Sequence, residues 1–162
     1  MLGVALCALS VATAGAQTPT ADIVAPLTKF MEAFNKGDIA GAAATHAAGP
    51  DLVIIDEVAP FVWHGADAFK TWAAALDADS KKEGITDQNV TIAAPTRTEV
   101  SGDTAYVVVP AVYTFKLKGA AMRESAQMTF VLKTGAGGWL ITGWTWTGPQ
   151  AKAAAAAASA KK

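Results

Sequence analysis

The chain has 162 residues, 52% hydrophobic and 17% charged, which suits one domain with its own core and excludes a charge-rich disordered chain. Its formal charge is −1, with acids and bases interspersed, so it presents no basic stripe to neutralise phosphates and nucleic acid is not an expected partner. The single cysteine, Cys7, lies in the leading segment, which leaves the rest of the chain without a thiolate nucleophile, a disulfide or a cysteine metal site.

Residues 1–16, MLGVALCALSVATAGA, are apolar, carry no charge and end in the small-x-small site Ala14-Gly15-Ala16. That pattern predicts a secretory signal peptide and a periplasmic or secreted product, although the usual Lys or Arg near the start is missing. A membrane anchor needs roughly 20 apolar residues, more than this run supplies, so no membrane association is expected after signal removal. Leu6 before Cys7 argues against lipid attachment, where a small residue is expected.

Ile23, Leu27, Phe30, Met31 and Phe34 recur at helical spacing and predict a first helix ended by Gly37. Asp38 is placed to cap a second, Ala-rich helix through about residue 47, stopped by Gly49-Pro50. Residues 51–57 and 60–64 read as two short strands, or one bent strand, broken at Pro60. Phe69, Trp72, Ala73 and Leu76 then give a third amphipathic helix over about residues 66–79.

After Lys81-Lys82 the pattern changes to β-branched runs at about 88–100, 104–118, 121–134 and 139–147, joined by short glycine-containing turns. This predicts an antiparallel meander, bent or bulged at Pro95 and Pro110. The expected architecture is α+β, with three N-terminal helices packed in the concave face of a strongly curved sheet. Residues 105–115 are apolar on both faces, so a second copy of the chain is expected on the side the helices leave open, making a homodimer through the sheet. The domain spans residues 21–148, and the low-complexity Ala/Lys segment 149–162 reads as a frayed helix or disordered tail without chemistry.

This order of elements, with FMEAFNKGD in the first helix and WHGADAFKTWAAAL leading into the third, resembles the nuclear transport factor 2-like superfamily. Within it the chain is similar to the SnoaL-like and ketosteroid-isomerase-like secreted bacterial proteins, over roughly residues 21–148. The resemblance implies a cone with a small-molecule pocket in its mouth, a scaffold shared by isomerases, dehydratases, cyclases and proteins without catalysis. In the isomerase branch a tyrosine seven residues before the Gly-Asp pair donates to the developing oxyanion; here Phe30 stands at that spacing. The branch keeps its general-base aspartate nine residues before the glycine that opens the third helix, and Asp56 stands nine before Gly65. Its protonated carboxylic acid falls on Thr129 when the last hairpin is aligned on TGAGGW.

Losing one oxyanion donor typically costs about 10² to 10³ in rate, so Phe30 and Thr129 at those positions argue against steroid isomerase activity. Two readings of Asp56 stay open. A carboxylate desolvated beside Trp63 and Phe61 has a raised pKa and suits a general base, whereas acids at strand ends also begin turns with solvated side chains. His64 alternates to the face opposite Trp63 and reads as a surface or capping residue, and His46 has no partner spacing that suggests a metal. No metal and no cofactor are expected.

Candidate pocket residues are Phe30, Phe34, Trp63, Trp72, Tyr113, Gln127, Thr129, Trp144 and Trp146. Trp144 and Trp146 share one face of the last long strand, as core wall or as an aromatic platform. On the penultimate strand Arg123, Ser125, Gln127 and Thr129 alternate with Met122, Ala126, Met128 and Phe130, and the resemblance places Thr129 on the pocket side. KTGAGG lacks the trailing Gly-Lys-Ser/Thr of a phosphate loop, Asn89-Val90-Thr91 is a bare glycosylation sequon, and no nucleophile elbow is present. The expected function is binding of a small, mostly apolar molecule, with catalysis left open. The alternatives are an isomerase or lyase with Asp56 as base, and a protein-interaction module using the exposed sheet face.

Overall fold

The computed structural model describes residues 20–154. The segment 1–16, expected to be a signal peptide, lies outside the described residues. In chain order the elements are α1 (Thr20–Asn35), α2 (Ile39–Ala43), β1 (Val53–Ile55), β2 (Val62–His64), α3 (Ala68–Glu83), β3 (Ile85–Ile92), β4 (Arg97–Ser101), β5 (Thr104–Leu117), β6 (Ala120–Gly135), β7 (Gly138–Thr147) and β8 (Lys152–Ala153).

The helices close one face of a sheet ordered β2-β1-β7-β6-β5-β3, with β4 also pairing β5 and β8 pairing β6. The α+β architecture is the one expected, but the sheet is mixed, because β1 runs parallel to β7. The short β1–β2 hairpin adds to the free edge of β7 before α3 crosses over. Residues 45–47 add to the same edge in the same sense, through Ala47 N–H to the Ile141 carbonyl at 2.8 Å and Ile141 N–H to the Thr45 carbonyl at 3.0 Å. The second helix is therefore shorter than its Ala-rich run suggested.

Three local devices set the frame. The Asp38 carboxylate accepts from Gly41 N–H at 2.8 Å, capping α2 at a spot where a side chain on residue 41 would meet that carboxylate. Asn35, at the end of α1, donates to the Val90 carbonyl at 2.8 Å and accepts from Val90 N–H at 2.7 Å, so one side-chain amide pairs with β3 as a strand would. Gly84 takes φ +75° to end α3, four residues later than its apolar spacing indicated, and β3 starts at once.

The prolines act differently from expectation. Pro95 sits in the gap between β3 and β4, and β5 continues through Pro110, which faces Gln127 in unbroken register. The Pro110 carbonyl accepts from Ala93 N–H at 2.9 Å, so its missing N–H points to the edge where β3 gives way to β4 and no ladder bond is lost. The register breaks lie instead at Thr86/Asn89 and Val131/Leu132.

Cross-strand register defines both faces. One inner row runs Trp63, Ile54, Trp144, Phe130, Val107, and packs with Ile23, Leu27 and Phe30 of α1 and Phe69 and Trp72 of α3 as the core. Two outer rows run Val62, Ile55, Thr145, Thr129, Val108 and His64, Val53, Gly143, Val131, Tyr106.

Candidate functional site

A cavity of about 410 Å³ opens between the helices and the inner sheet face. Each wall comes from the apolar periodicity of its element. α1 supplies Phe30, Met31 and Phe34, α3 supplies Trp72, Leu76 and Asp79, and the strands supply Val90, Tyr113, Glu124, Met128, Trp144 and Trp146. Trp72 and Trp144 meet edge to face at 5.0 Å with Phe30 beside both, and Tyr113 meets Trp146 at 6.2 Å.

Asp56, one residue past the end of β1, is fixed in this wall by two donors. Trp72 Nε1–H reaches its Oδ2 at 2.7 Å and Glu57 N–H reaches its Oδ1 at 2.8 Å. Burial raises the Asp56 pKa, and those two hydrogen bonds oppose the rise. Glu124 is 2% exposed and accepts from Trp146 Nε1–H at 2.6 Å. Glu57 is exposed at the rim, yet its carboxyl is pushed up to about 8, by partial burial first, then by the charge and hydrogen bonding of Glu124, then by the charge of Asp56. Tyr113, opposite Glu124 in the sheet, donates its hydroxyl to Gln88 Oε1, and burial followed by the surrounding carboxylates raises its pKa.

The third indole is engaged as well. Trp144 Nε1–H donates to His46 Nε2 at 3.1 Å, which leaves the His46 proton on Nδ1, 3.0 Å from the Ala42 carbonyl. His46 is buried between Phe30 and Phe69, and desolvation lowers its pKa to about 4 against the opposing Ala42 bond. It is a fixed neutral hydrogen-bonding group of the core.

Phe30, Phe34, Asp56, Trp72, Tyr113, Trp144 and Trp146 thus line one cavity, and three expected members do not. Trp63 ends the inner row at the sheet edge and packs in the core behind the cavity. Gln127 and Thr129 point to the outer face, because Met128, Phe130 and Leu132 take the buried positions of β6, and a one-residue displacement reverses every side chain. His64 is likewise exposed on the outer side of β2.

The family model of the SnoaL-like domain matches residues 23–145. The chain belongs to the SnoaL-like domain family. No curated protein matches it. Among solved structures it is similar to a nuclear transport factor 2-like superfamily protein of Salmonella enterica, with 14% identity and a TM-score of 0.67 over 88% of this chain and 96% of that one. It is also similar to a ketosteroid isomerase-like protein of Erwinia carotovora atroseptica, with 24% identity, a TM-score of 0.62 and coverage of 83% and 98%. A candidate scytalone dehydratase of Novosphingobium aromaticivorans matches with 9% identity, a TM-score of 0.65 and coverage of 85% and 88%. At these identities the likeness concerns the fold.

Two parts of the SnoaL-like pocket escape the sequence reading. Glu124 occupies the same face of β6 as Met122, Ala126, Met128 and Phe130, and a lone acid on an apolar face was the available signal. The second is the segment after β7. Gly148 passes so close to Glu124 that a Cβ there would lie 2.9 Å from Oε1 and 2.9 Å from the Ala126 Cβ, Gln150 and Ala151 line the cavity, and β8 pairs with Met122 and Arg123. The Ala/Lys segment was expected to be frayed or disordered. Over residues 151–154 it is corrected: the ladder on β6, which needs no side-chain pattern, holds it.

Proposed function

We propose that this SnoaL-like chain binds a small, mostly apolar molecule in the cavity behind Asp56. The observation that supports this most is the cavity of about 410 Å³, within the range of small-molecule sites and walled by aromatic side chains that are themselves hydrogen-bonded in place. The test is mass spectrometry of small molecules released from purified protein, with titration of tryptophan emission by apolar ligands, since Trp72, Trp144 and Trp146 face the cavity. A released ligand or saturable quenching is expected. A protein that carries nothing and responds to no ligand overturns the reading.

A second reading, proton abstraction by Asp56 in an isomerase or lyase, is favoured by the half-buried position and raised pKa of that carboxyl. The nearby donors are largely engaged: Tyr113 donates to Gln88 and the three indoles to Asp56, His46 and Glu124. On this reading Glu57, whose pKa is pushed up to about 8 when no cation sits beside it, is the acid available to face a developing oxyanion. Asp56→Asn keeps an acceptor for Trp72 and removes the base. Turnover of small enolisable ketones is expected to fall by at least about 10², and turnover that survives the substitution excludes Asp56 as the base.

The same proposal places the mature protein in the periplasm or outside the cell, on the strength of residues 1–16, and intact mass after secretion checks it. It also makes the chain a homodimer, because the two outer rows carry no charged side chain from β2 to β5 and expose Val53, Ile55, Val62, Tyr106 and Val131.

A further inference from the structure

The charge lining the cavity is of one sign. Asp56, Glu57, Asp79 and Glu124 all border it, from the end of β1, from α3 and from β6, and among the described residues no Lys, Arg or His side chain does. Among the described residues the ion pairs are surface pairs, and none includes any of these four acids. A buried carboxylate ordinarily has a cationic partner, whereas Glu124, 2% exposed, accepts from the Trp146 indole and otherwise shares hydrogen bonding with Glu57, a second acid. The acids are also spread around the walls: among the described residues no group of three is arranged to hold a metal ion. Between them stand the ring faces and edges of Trp72, Trp144, Trp146 and Tyr113. Aromatic rings beside carboxylates form the environment that receives an organic cation, through the negative ring face and the unbalanced charge together.

We propose that the molecule held in this pocket is an apolar skeleton bearing a protonated or quaternary amine, with the cation seated among Glu124, Glu57 and the indoles of Trp146 and Trp72. This rests on the pocket reading given above and adds the charge of its occupant. The raised pKa of Glu57, caused in part by Glu124 and Asp56, is what an acidic cluster without its countercharge produces. A bound ammonium supplies that countercharge. An anionic ligand would meet four acids and, among the described residues, no cation.

The test uses three molecules with one rigid hydrocarbon cage: adamantylamine, adamantanol and adamantanecarboxylate, each titrated against tryptophan emission and by calorimetry. The amine is expected to bind at least about tenfold tighter than the alcohol, and the carboxylate not measurably. In Glu124→Gln, whose amide oxygen still accepts from Trp146, and in Glu57→Gln, at the exposed rim, the amine-to-alcohol ratio is expected to fall about threefold to tenfold. Thermal melts establish that both variants are folded, and the rim variant serves if the buried one is not. Alcohol binding as tight as amine binding overturns the cationic ligand and leaves the pocket reading standing. An amine preference that survives both substitutions removes the acids from its cause and overturns the proposal. If none of the three binds at millimolar concentration, the pocket reading falls together with it.

Discussion

His46 and Glu57 respond to pH in opposite directions. His46 is held neutral: its folded pKa lies near 4 against 6.5 for the free group, so the unfolded chain takes up a proton first as pH falls. Its contribution is present above pH 6.5 and is lost as the pH drops towards 4, an effect of about 3 kcal/mol. Glu57 has the reverse shift, from 4.5 to about 8, so the fold loses stability as pH rises through that window. Between 4.5 and 6.5 the two slopes oppose each other, and above 6.5 the Glu57 decline stands clear of His46. Urea unfolding across pH 4–9 is expected to show wild type losing stability from pH 6.5 to 8, Glu57→Gln lacking that decline, and His46→Gln lacking the loss on the acid side. A wild-type profile flat above pH 6.5 contradicts the assignment of a raised pKa to Glu57. Asp56 was legible because spacing to Gly65 is a local count. The His46–Trp144 bond was not, since 98 residues separate its partners.

At the scale of elements, Asn35 is the joint between α1 and β3. Replacing it with alanine removes both bonds to Val90 and leaves that N–H and carbonyl without their side-chain partner, a loss of about 1–3 kcal/mol expected in chemical denaturation. A change within about 0.5 kcal/mol would show that water replaces the amide without penalty. The helices were legible from apolar periodicity, and the strand runs from their β-branched residues and glycine turns. Register was not, because alternation marks two faces without saying which is inner when both are apolar, as in β5. Thr129 was assigned to the pocket by the hairpin alignment of the resemblance, one residue out of phase with the inner face of β6, while Glu124 was the acid facing it. The parallel placement of β1 on β7 and the pairing of β8 are backbone events between distant segments, and local residue pattern carries no sign of either.

For the whole molecule, the uncharged outer rows predict association in solution. Light scattering at micromolar concentration is expected to give twice the monomer mass, and Val131→Lys, within the second row, is expected to shift the protein to monomer without lowering its helix content. A monomeric wild type removes the dimer and leaves the outer face solvated. Core and cavity are shared property of one packed layer: Phe30 and Trp144 belong to both, so a change that enlarges the pocket also weakens the fold. Residues 149–151 are exempt from that coupling, being joined to the sheet by β7 on one side and two residues of β8 on the other, whereas Gly148 is held to glycine by its approach to Glu124 and Ala126. Over evolutionary time such a segment can vary while the scaffold is kept, so relatives that admit different molecules are expected to diverge most at residues 149–151, and least in the helices beneath them and at the glycine that clears the acid on β6.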